Sequence, residues 1–344
     1  MRELKDRALS LVGRTPALRL LGPRWAGAAT VIMCHRVVPD DATVANMPLS
    51  IRQGYLAAVA DEVVRRGLDV VSLDELHRRL AAGAPPPRPM VVFTFDDGYR
   101  DNLTLAAPVF AKRRLPWTLF LTTGFPDRSC DYWWGVLEAV VLRHERVEIE
   151  LPGWHAAYPA GSPAEKRAAF AAIAARADPK ALAAYLWARY GLTEAAALEE
   201  DAMSWAEVNR LAAGGLVEIG AHTITHRALA GLPAEEARHE MEGSRARIRE
   251  MTGIEAAHFA YPFGDPGSAG EREFRLAREA GFRTAVTTIP SNVFAGGGQD
   301  LQALPRLGLD GRDQTLSQLA VHLSGLTSLV TLRRRHPLLA ARPA

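Results

Sequence analysis

Four side chains in this sequence have types and spacing that suit metal-assisted proton transfer. Asp96 and Asp97 follow an apolar, β-branched and aromatic run and precede Gly98, so a strand would deliver two carboxylates to a tight turn. His222 and His226 follow a second apolar run and lie four residues apart. Neutral imidazole binds zinc and similar divalent ions, and a carboxylate as third ligand leaves one position open for water. Two histidines and one Asp complete such a ligand set, and the second Asp remains for proton transfer.

Each pair taken alone also has an ordinary interpretation. An Asp-Asp-Gly sequence is a common solvated turn, and two histidines four residues apart often lie on a surface. Both pairs, however, lie at the ends of predicted strands, and ligands of parallel α/β folds bind at the carboxyl ends of strands. The combination therefore favours a metal site.

Three segments resemble the polysaccharide deacetylase (NodB-homology) family of carbohydrate esterases. They read TFDDG from Thr94, HTITH from His222 and FAYPFG from Phe259, and the similar region runs from about Thr30 to Gly311. The resemblance implies a distorted (β/α) barrel, a divalent metal with zinc as the first expectation, and removal of an N-acetyl group from a sugar.

The resemblance also implies roles for individual residues. Asp97, His222 and His226 are expected to bind the metal. Asp96 is expected to act as the general base that takes a proton from the attacking water. The backbone N–H of Phe263, by its position in the third motif, is expected to help hold the tetrahedral oxyanion.

The sequence departs from the family pattern in the third motif. Many members carry there an Arg that pairs with the base Asp, but this chain has Ala260. We predict that Arg306 or Arg36 replaces it, because both flank strand-like segments and a guanidinium can orient a carboxylate through two charge-assisted hydrogen bonds.

The general acid of many members is a late histidine, and the late candidate here is His322. It lies in a predicted helix, 314–326, and is interpreted as a packing or surface residue. His35, at the end of the first predicted strand, resembles the acid-side histidine of a rearranged subgroup, the exopolysaccharide N-acetylglucosamine deacetylases, with Cys34 in place of that subgroup's Tyr. We predict His35 as the general acid; the alternative is a histidine that only satisfies hydrogen bonds at a strand end.

Three aromatic residues are candidate substrate contacts. Tyr261 lies in the third motif, and Trp133 and Trp134 open a predicted helix. Exposed aromatic rings stack on sugars, although aromatics at helical spacing more often pack in a core.

Length and composition fit a single barrel with an insertion. The chain has 344 residues, of which 48% are hydrophobic and 23% charged. A net charge of +2 gives no signature for nucleic-acid binding. Two cysteines make no disulfide framework, and no apolar stretch approaches a membrane span.

The termini bear on location. The first residues lack the apolar core of a signal peptide, so we expect a cytoplasmic protein. Residues 8–25 form a basic amphipathic segment, which fits a helix packed on the barrel, the interpretation we favour, or a peripheral contact with the inner membrane face.

The alternation of strand and helix is interrupted once. The predicted divisions are an N-terminal segment, 1–28, a barrel, 29–312, with a helical insertion at about 125–203, and a C-terminal helix with a basic tail, 313–344. The expected function is hydrolysis of N-acetyl groups on an amino sugar of an oligo- or polysaccharide or a lipid-linked glycan. The alternatives are a non-catalytic glycan-binding barrel and an O-deacetylase on the same metal site.

Overall fold

A sheet of parallel strands curls into a half-barrel at the centre of the molecule, which confirms the predicted α/β class and its distorted (β/α) barrel. The computed structural model describes residues 26–83, 86–295, 299–309 and 311–333. Its strands are β1 (Ala29–Cys34), β2 (Arg36–Val38), β3 (Ser50–Arg52), β4 (Asp69–Val70), β5 (Met90–Asp97), β6 (Trp117–Leu121), β7 (Arg146–Leu151), β8 (Trp154–Pro159), β9 (Val217–Ala221), β10 (His258–Ala260), β11 (Thr284–Val286) and β12 (Leu307–Gly308).

The helices cover the outer face of this sheet and build the insertion. They are α1 (Gln53–Arg65), α2 (Leu73–Ala81), α3 (Ala107–Arg113), α4 (Trp133–Arg143), α5 (Pro163–Ala174), α6 (Pro179–Tyr190), α7 (Glu194–Asp201), α8 (Trp205–Ala212), α9 (Ala234–Thr252), α10 (Glu271–Glu279), α11 (Leu316–Leu323) and α12 (Leu326–Arg333).

The order of the curled sheet is β11-β10-β9-β6-β5-β1-β12, and β4 pairs with the start of β5. Every pairing is parallel, and the register aligns the carboxyl ends of the strands: Asp97 lies opposite Leu121, which lies opposite Ala221, which in turn pairs with the strand of Ala260. A further parallel bridge joins Val286 of β11 to Leu304, just before β12. One edge of the sheet therefore collects the residues that follow these strands.

Local sequence explains where the helices begin. Ser72 caps α2 by accepting a hydrogen bond from the Glu75 backbone, and Ser204 with Glu207 forms the predicted capping box of α8. The all-buried strand β5 is rich in valine and phenylalanine, which suits a strand covered on both faces.

The segment between β6 and α8 has a hydrophobic core of its own. Helices α4 to α7 surround it, and its buried members include Phe125, Tyr132 and Trp134. The sequence predicted helices here, but the segment also contains an antiparallel hairpin of β7 and β8. The alternation of apolar and charged residues in 146–151 is the period-two signal for this hairpin.

Some expectations concern parts of the chain that are not described. The amphipathic segment 8–25 and the basic tail from residue 334 lie outside the described residues, and the boundaries predicted for the divisions stay predictions. Within the described part, none of the helices combines the length and the apolar character that a membrane crossing requires.

Candidate active site

Asp97, His222 and His226 meet at the carboxyl ends of β5 and β9. The Nε2 atoms of His222 and His226 lie 3.5 and 3.4 Å from Asp97 Oδ1, and one ligand atom from each residue falls within 4.8 Å of the others. All three side chains are buried or nearly so. The sequence-predicted ligand set is thus assembled in one place.

The donor atoms of this cluster are arranged for a cation. The Nδ1–H of His222 donates to the Ala260 carbonyl at 2.7 Å, so its Nε2 is left to face Asp97. Asp97 Oδ1 is fully buried and has no hydrogen-bond partner within the described residues. A buried carboxylate oxygen without a donor is costly unless a cation satisfies it. The residues present therefore fit a divalent metal.

The electrostatics of His226 and Asp97 agree with this fit. Burial lowers the pKa of His226 to about 4, so its imidazole is neutral at pH 7, which is the form that ligates metals. Burial would raise the pKa of Asp97, but His226 and His222 outweigh it and lower that pKa, so Asp97 is ionised.

The backbone at these residues is strained. Six non-glycine residues in the described part have positive φ, and four of them are Asp97 (79°), Thr223 (66°), His226 (61°) and Phe263 (61°). A β-branched residue such as Thr223 rarely adopts this conformation. Strain of this kind persists only when the surroundings enforce it, and it concentrates at functional sites.

Glu240 of α9 holds the strained histidine loop in place. Its carboxylate accepts hydrogen bonds from the backbone N–H groups of Ile224 and Thr225 and from the Thr225 hydroxyl. The sequence did not reveal this role, because Glu240 is one of many charged residues in α9 and no local pattern marks it as buried.

Asp96, the predicted base, is paired with Arg306. The Nη1 and Nη2 atoms of Arg306 each lie 2.7 Å from one oxygen of Asp96, while its Nε donates to the Thr287 carbonyl. Arg306 is only 1% exposed. Burial would raise the pKa of Asp96, but Arg306 and His222 lower it, so the carboxylate is ionised at neutral pH. Of the two arginines proposed to replace the family Arg, the geometry selects Arg306.

Arg36, the other candidate, does not contact Asp96. Its guanidinium donates to Asp101, to Glu138 of α4 and to Asp201 of α7. Glu138 also accepts the backbone N–H groups of Ala45 and Asn46. Arg36 therefore ties the insertion to the barrel beside the site.

His35, the predicted acid, lies next to the base. Its Nε2 is 3.8 Å from Asp96 Oδ2, and its side chain is 17% exposed. Hydrogen bonds fix the backbone at His35 and just after it, because the Asn102 side chain donates to the His35 carbonyl and Asp101 accepts the Val37 N–H. Asp101 and Asn102 were not predicted as supporting residues, although their position just after the Asp pair was a signal.

His322, the rejected candidate acid, lies in α11. Its ring nitrogens face the Thr327 hydroxyl and the Gly308 carbonyl. Cys34, the neighbour of His35, is fully buried, and burial raises the pKa of its thiol. It is therefore a neutral packing residue at neutral pH.

The aromatic candidates divide into three environments. Tyr261 was expected to bind substrate, but it is fully buried, donates its hydroxyl to the Gln302 carbonyl and packs on Phe259, so that expectation is wrong for its side chain. Its position near a strand end misled the prediction, because the side chain points to the core. Trp134 is nearly buried and packs against His226, with ring centroids 5.1 Å apart, whereas Trp133 is half-buried.

Phe263 lies at the rim of the site. Its ring is 51% exposed and packs on His226 with centroids 5.1 Å apart. Its backbone N–H makes no hydrogen bond to any described residue. The predicted oxyanion donor is thus available beside the histidines, and its role stays a prediction.

The fold and these residues define a class: distorted parallel barrels with an Asp-Asp pair and a histidine pair at the strand ends. The chain belongs to the polysaccharide deacetylase family, whose model matches residues 83–285. Comparison with curated proteins finds no relative of significant sequence similarity.

Several solved structures share the fold. The chain is similar to IcaB from Ammonifex degensii, with 19% identity, a TM-score of 0.55 and coverage of 87% of this chain and 97% of that one. It is also similar to the Streptococcus pyogenes deacetylase PplD in complex with acetate, with 16% identity, a TM-score of 0.54 and coverage of 83% and 93%. The BpsB deacetylase domain from Bordetella bronchiseptica has 18% identity and a TM-score of 0.51, with coverage of 81% and 95%. At these identities the likeness concerns the fold.

Proposed function

We propose that this protein is a metal-dependent hydrolase that removes N-acetyl groups from amino sugars within a glycan. The observation that carries the proposal is the division of labour between two adjacent buried carboxylates. Both oxygens of Asp96 accept hydrogen bonds from Arg306, whereas Asp97 Oδ1 faces only two imidazole nitrogens. A module that merely binds sugars has no need for this arrangement.

Asp97, His222 and His226 would hold the metal, and zinc suits their mixture of imidazole and carboxylate ligands. A divalent ion bound there would polarise the acetyl carbonyl and lower the pKa of a water molecule towards about 7.

Asp96 would take the proton from the attacking water. A base must be ionised and correctly aimed when the substrate arrives. The Arg306 fork keeps Asp96 ionised and fixes the plane of its carboxylate, and the Thr94 hydroxyl accepts another hydrogen bond from Arg306. Arg306 is thus a positioning residue for the base.

His35 would supply the proton that the leaving amine needs. Its ring is partly open to solvent and lies beside Asp96, so a substrate entering from the rim could reach both groups. The Phe263 backbone N–H would stabilise the oxyanion that forms from the acetyl carbonyl oxygen.

Two other functions remain as alternatives. An O-deacetylase would use the same residues on an ester, and a non-catalytic barrel would bind the glycan without turnover. The intact set of base, acid and ligands supports an enzyme, and the acid at His35 supports an amide substrate, since an amine leaves poorly unless it is protonated. A cytoplasmic location stays a prediction, which cell fractionation would test.

The testing experiment is free-amine release from N-acetylglucosamine oligomers by zinc-loaded protein, with Asp96→Asn as the control. Release that requires Asp96 and stops on chelation supports the proposal. If zinc binds but no amine appears, acetate release from an O-acetylated glycan is measured next. Acetate release identifies an O-deacetylase, and its absence favours the non-catalytic barrel.

A further inference from the structure

The insertion carries a cavity of about 370 Å³ beside the start of α4. The starts of α4, α6 and α7 surround it, and its lining includes Trp133, Trp187, Lys180, Asp131 and Glu194. This volume falls in the range of small-ligand pockets, about 300–1,000 Å³.

Two indoles form its apolar walls. Trp187 is 62% exposed, the largest exposed fraction among the large hydrophobic side chains that the structure describes. The same helix buries Leu182 and Leu186 in the core of the insertion, so Trp187 lies on its outer face. Trp133, on the other wall, is half-buried. Exposed aromatic rings next to a concave surface are typical of binding sites.

The polar groups of the cavity have unused hydrogen-bonding capacity. Lys180 and Asp131 make no hydrogen bond or ion pair with any described residue. Glu194 accepts the Tyr132 N–H with Oε1 alone, which leaves Oε2 available, and burial raises the pKa of Glu194. Donors and acceptors around an aromatic wall match a pyranose, which has an apolar C–H face and a ring of hydroxyl groups. Two carboxylates beside one ammonium disfavour an anionic ligand such as a phosphate.

Aromatic packing links one wall of the cavity to the candidate active site. The ring of Trp133 lies 6.0 Å from that of Trp134, and the ring of Trp134 lies 5.1 Å from His226. A single indole therefore separates the cavity wall from a predicted metal ligand. A glycan chain with one residue at the metal centre has further residues close enough to occupy this cavity.

We propose that this cavity, the insertion subsite, binds a neutral or amino sugar residue of the same glycan chain that is deacetylated at the barrel. This inference rests on the proposed function and deepens it, because it makes the substrate an oligomer or polymer. The C–H face of the sugar stacks on Trp187, and its hydroxyl groups bond to Asp131, Lys180 and Glu194.

The test compares Trp187→Ala with Trp187→Phe and with Val64→Ala, an exposed apolar residue on α1 that serves as the matched control. KM and kcat are measured on N-acetylglucosamine oligomers of increasing length and on the small ester 4-nitrophenyl acetate. We expect Trp187→Ala to raise KM for the longer oligomers roughly five- to tenfold, as for truncation of one aromatic contact, with kcat and ester turnover unchanged. Trp187→Phe should recover part of the loss, and Val64→Ala should have no effect.

A KM that is equally low for monomer and oligomers, or that Trp187→Ala leaves unchanged, overturns the subsite while the proposed function stands. Binding of the same oligomers to Asp96→Asn, measured by calorimetry, separates the two proposals because it does not depend on turnover. Suppose that adding Trp187→Ala to Asp96→Asn weakens oligomer binding, and that the protein with Asp96 intact shows no turnover. This result supports the subsite and contradicts the deacetylase. Oligomer binding that is independent of Trp187 contradicts the subsite whatever the activity.

Discussion

The two adjacent aspartates differ in what surrounds them, and that difference determines what each can do. Asp96 has a guanidinium across both oxygens, and Asp97 has imidazole nitrogens and an oxygen without a donor. Two charges side by side in a buried place would otherwise raise each other's pKa. Here each carboxylate has its own source of compensation, so both are ionised and they need not share a proton.

Replacement of Arg306 by lysine should separate charge from geometry. Lys retains a positive charge but loses the two-pronged contact that fixes the Asp96 carboxylate. We expect turnover to fall about 100-fold while zinc binding persists, because misplacement of a base by about an ångström has an effect of this size. Arg65→Lys, a change at an exposed arginine, is the matched control. Wild-type turnover in Arg306→Lys would show that the fork does not position the base.

The two candidate acids can be distinguished by paired alanine variants. His35→Ala should bind zinc normally yet lose most amide hydrolysis, because no other described imidazole lies beside Asp96 on the open side of the site. His322→Ala should keep its activity and lose only some stability, since the His322 ring makes hydrogen bonds with Gly308 and Thr327. Amine release and zinc content are measured for both. Activity that survives in His35→Ala within a few-fold would make His35 a structural residue.

Asp101 predicts a pH dependence of stability. Burial raises its pKa to about 6, whereas the ordinary value is 3.8, so the folded protein holds this proton more tightly than the unfolded chain. Its contribution to stability is therefore present at low pH and is lost as the pH rises from about 4 to about 6. Arg36 and Asp201 face the same carboxylate and set the size of the shift.

The Asp101→Asn variant removes this proton. Its free energy of unfolding, relative to wild type, should increase between pH 4 and pH 7 by up to about 3 kcal/mol. Denaturant titrations at several pH values provide the measurement. Asp61→Asn is the control, because the Arg113 hydrogen bond lowers the pKa of Asp61 below its ordinary value of 3.8, so the relative stability of this variant should change little between pH 4 and pH 7. A relative stability of Asp101→Asn that stays constant with pH would refute the assignment.

The sequence predicted the residues that carry chemistry better than the residues that support them. Asp96, Asp97, His222 and His226 occur in short motifs, so their meeting could be expected. Arg306 could be named only as one of two arginines, because its pairing depends on which strand neighbours β1. The burial of Tyr261 and of Glu240 depends on the packing of distant elements, which no local pattern records.

Among the elements, the loop after β6 and the histidine loop after β9 are packed closely enough to depend on a glycine. A Cβ atom on Gly124 would lie 2.5 Å from the Ile224 carbonyl oxygen and 2.9 Å from the Cys130 backbone nitrogen. Gly124 itself donates a hydrogen bond to Ile224, in the middle of the histidine motif. The loop after β6 thus helps to fix the conformation of the histidine loop.

Gly124→Ala should therefore disturb both stability and the metal ligands. We expect a loss of about 1–3 kcal/mol, because backbone atoms on both sides cannot yield easily, together with weaker zinc binding. Gly231→Ala is the control, since its added Cβ meets nothing within 4 Å and its φ is not positive. Thermal unfolding and zinc titration are the measurements. A neutral Gly124→Ala would mean that the loops can move apart.

The sequence predicts regular helices and strands well, but it predicts less well where a helix is irregular or is replaced by a short strand. The Ser-x-x-Glu pattern at Ser204 and Glu207 indicates a capping box in the sequence, and the structure has that capping box at the start of α8. The sequence pattern indicates a helix over residues 102–113, but its first turn is π-helical, Asn102–Ala106. The pattern also indicates a helix over residues 50–66, but its first three residues form β3. Both differences lie beside the site, where tertiary contacts to β2 outweigh local propensity.

For the whole molecule, the buried Asp97 charge makes the folded state sensitive to metal. A ligand that binds only the folded chain stabilises it by an amount that grows with ligand concentration. We expect zinc added to chelator-treated protein to raise Tm by about 5 °C at a hundredfold excess over Kd. His226→Ala, which removes one ligand, should show a much smaller rise. An equal rise in both proteins would place the zinc elsewhere.

The class of fold was predictable because strand and helix alternate along most of the chain. The core of the insertion was not, since its buried members include Ala45 and Tyr99, which precede the insertion in the sequence. Its attachment through Arg36 and Glu138 likewise joins residues more than a hundred positions apart.

The Asp96–Arg306 pair has a consequence for the order of events during synthesis. Arg306 follows Asp96 by 210 residues, so a nascent chain carries the aspartate long before its partner has been made. Until then, closing the barrel would bury a bare carboxylate, at a cost of about 3–5 kcal/mol for an unpaired buried charge. We therefore expect the barrel to close only after the segment with Arg306 has been synthesised. A fragment limited to residues 83–285 would hold all three predicted metal ligands, yet it could not fold into a smaller working enzyme.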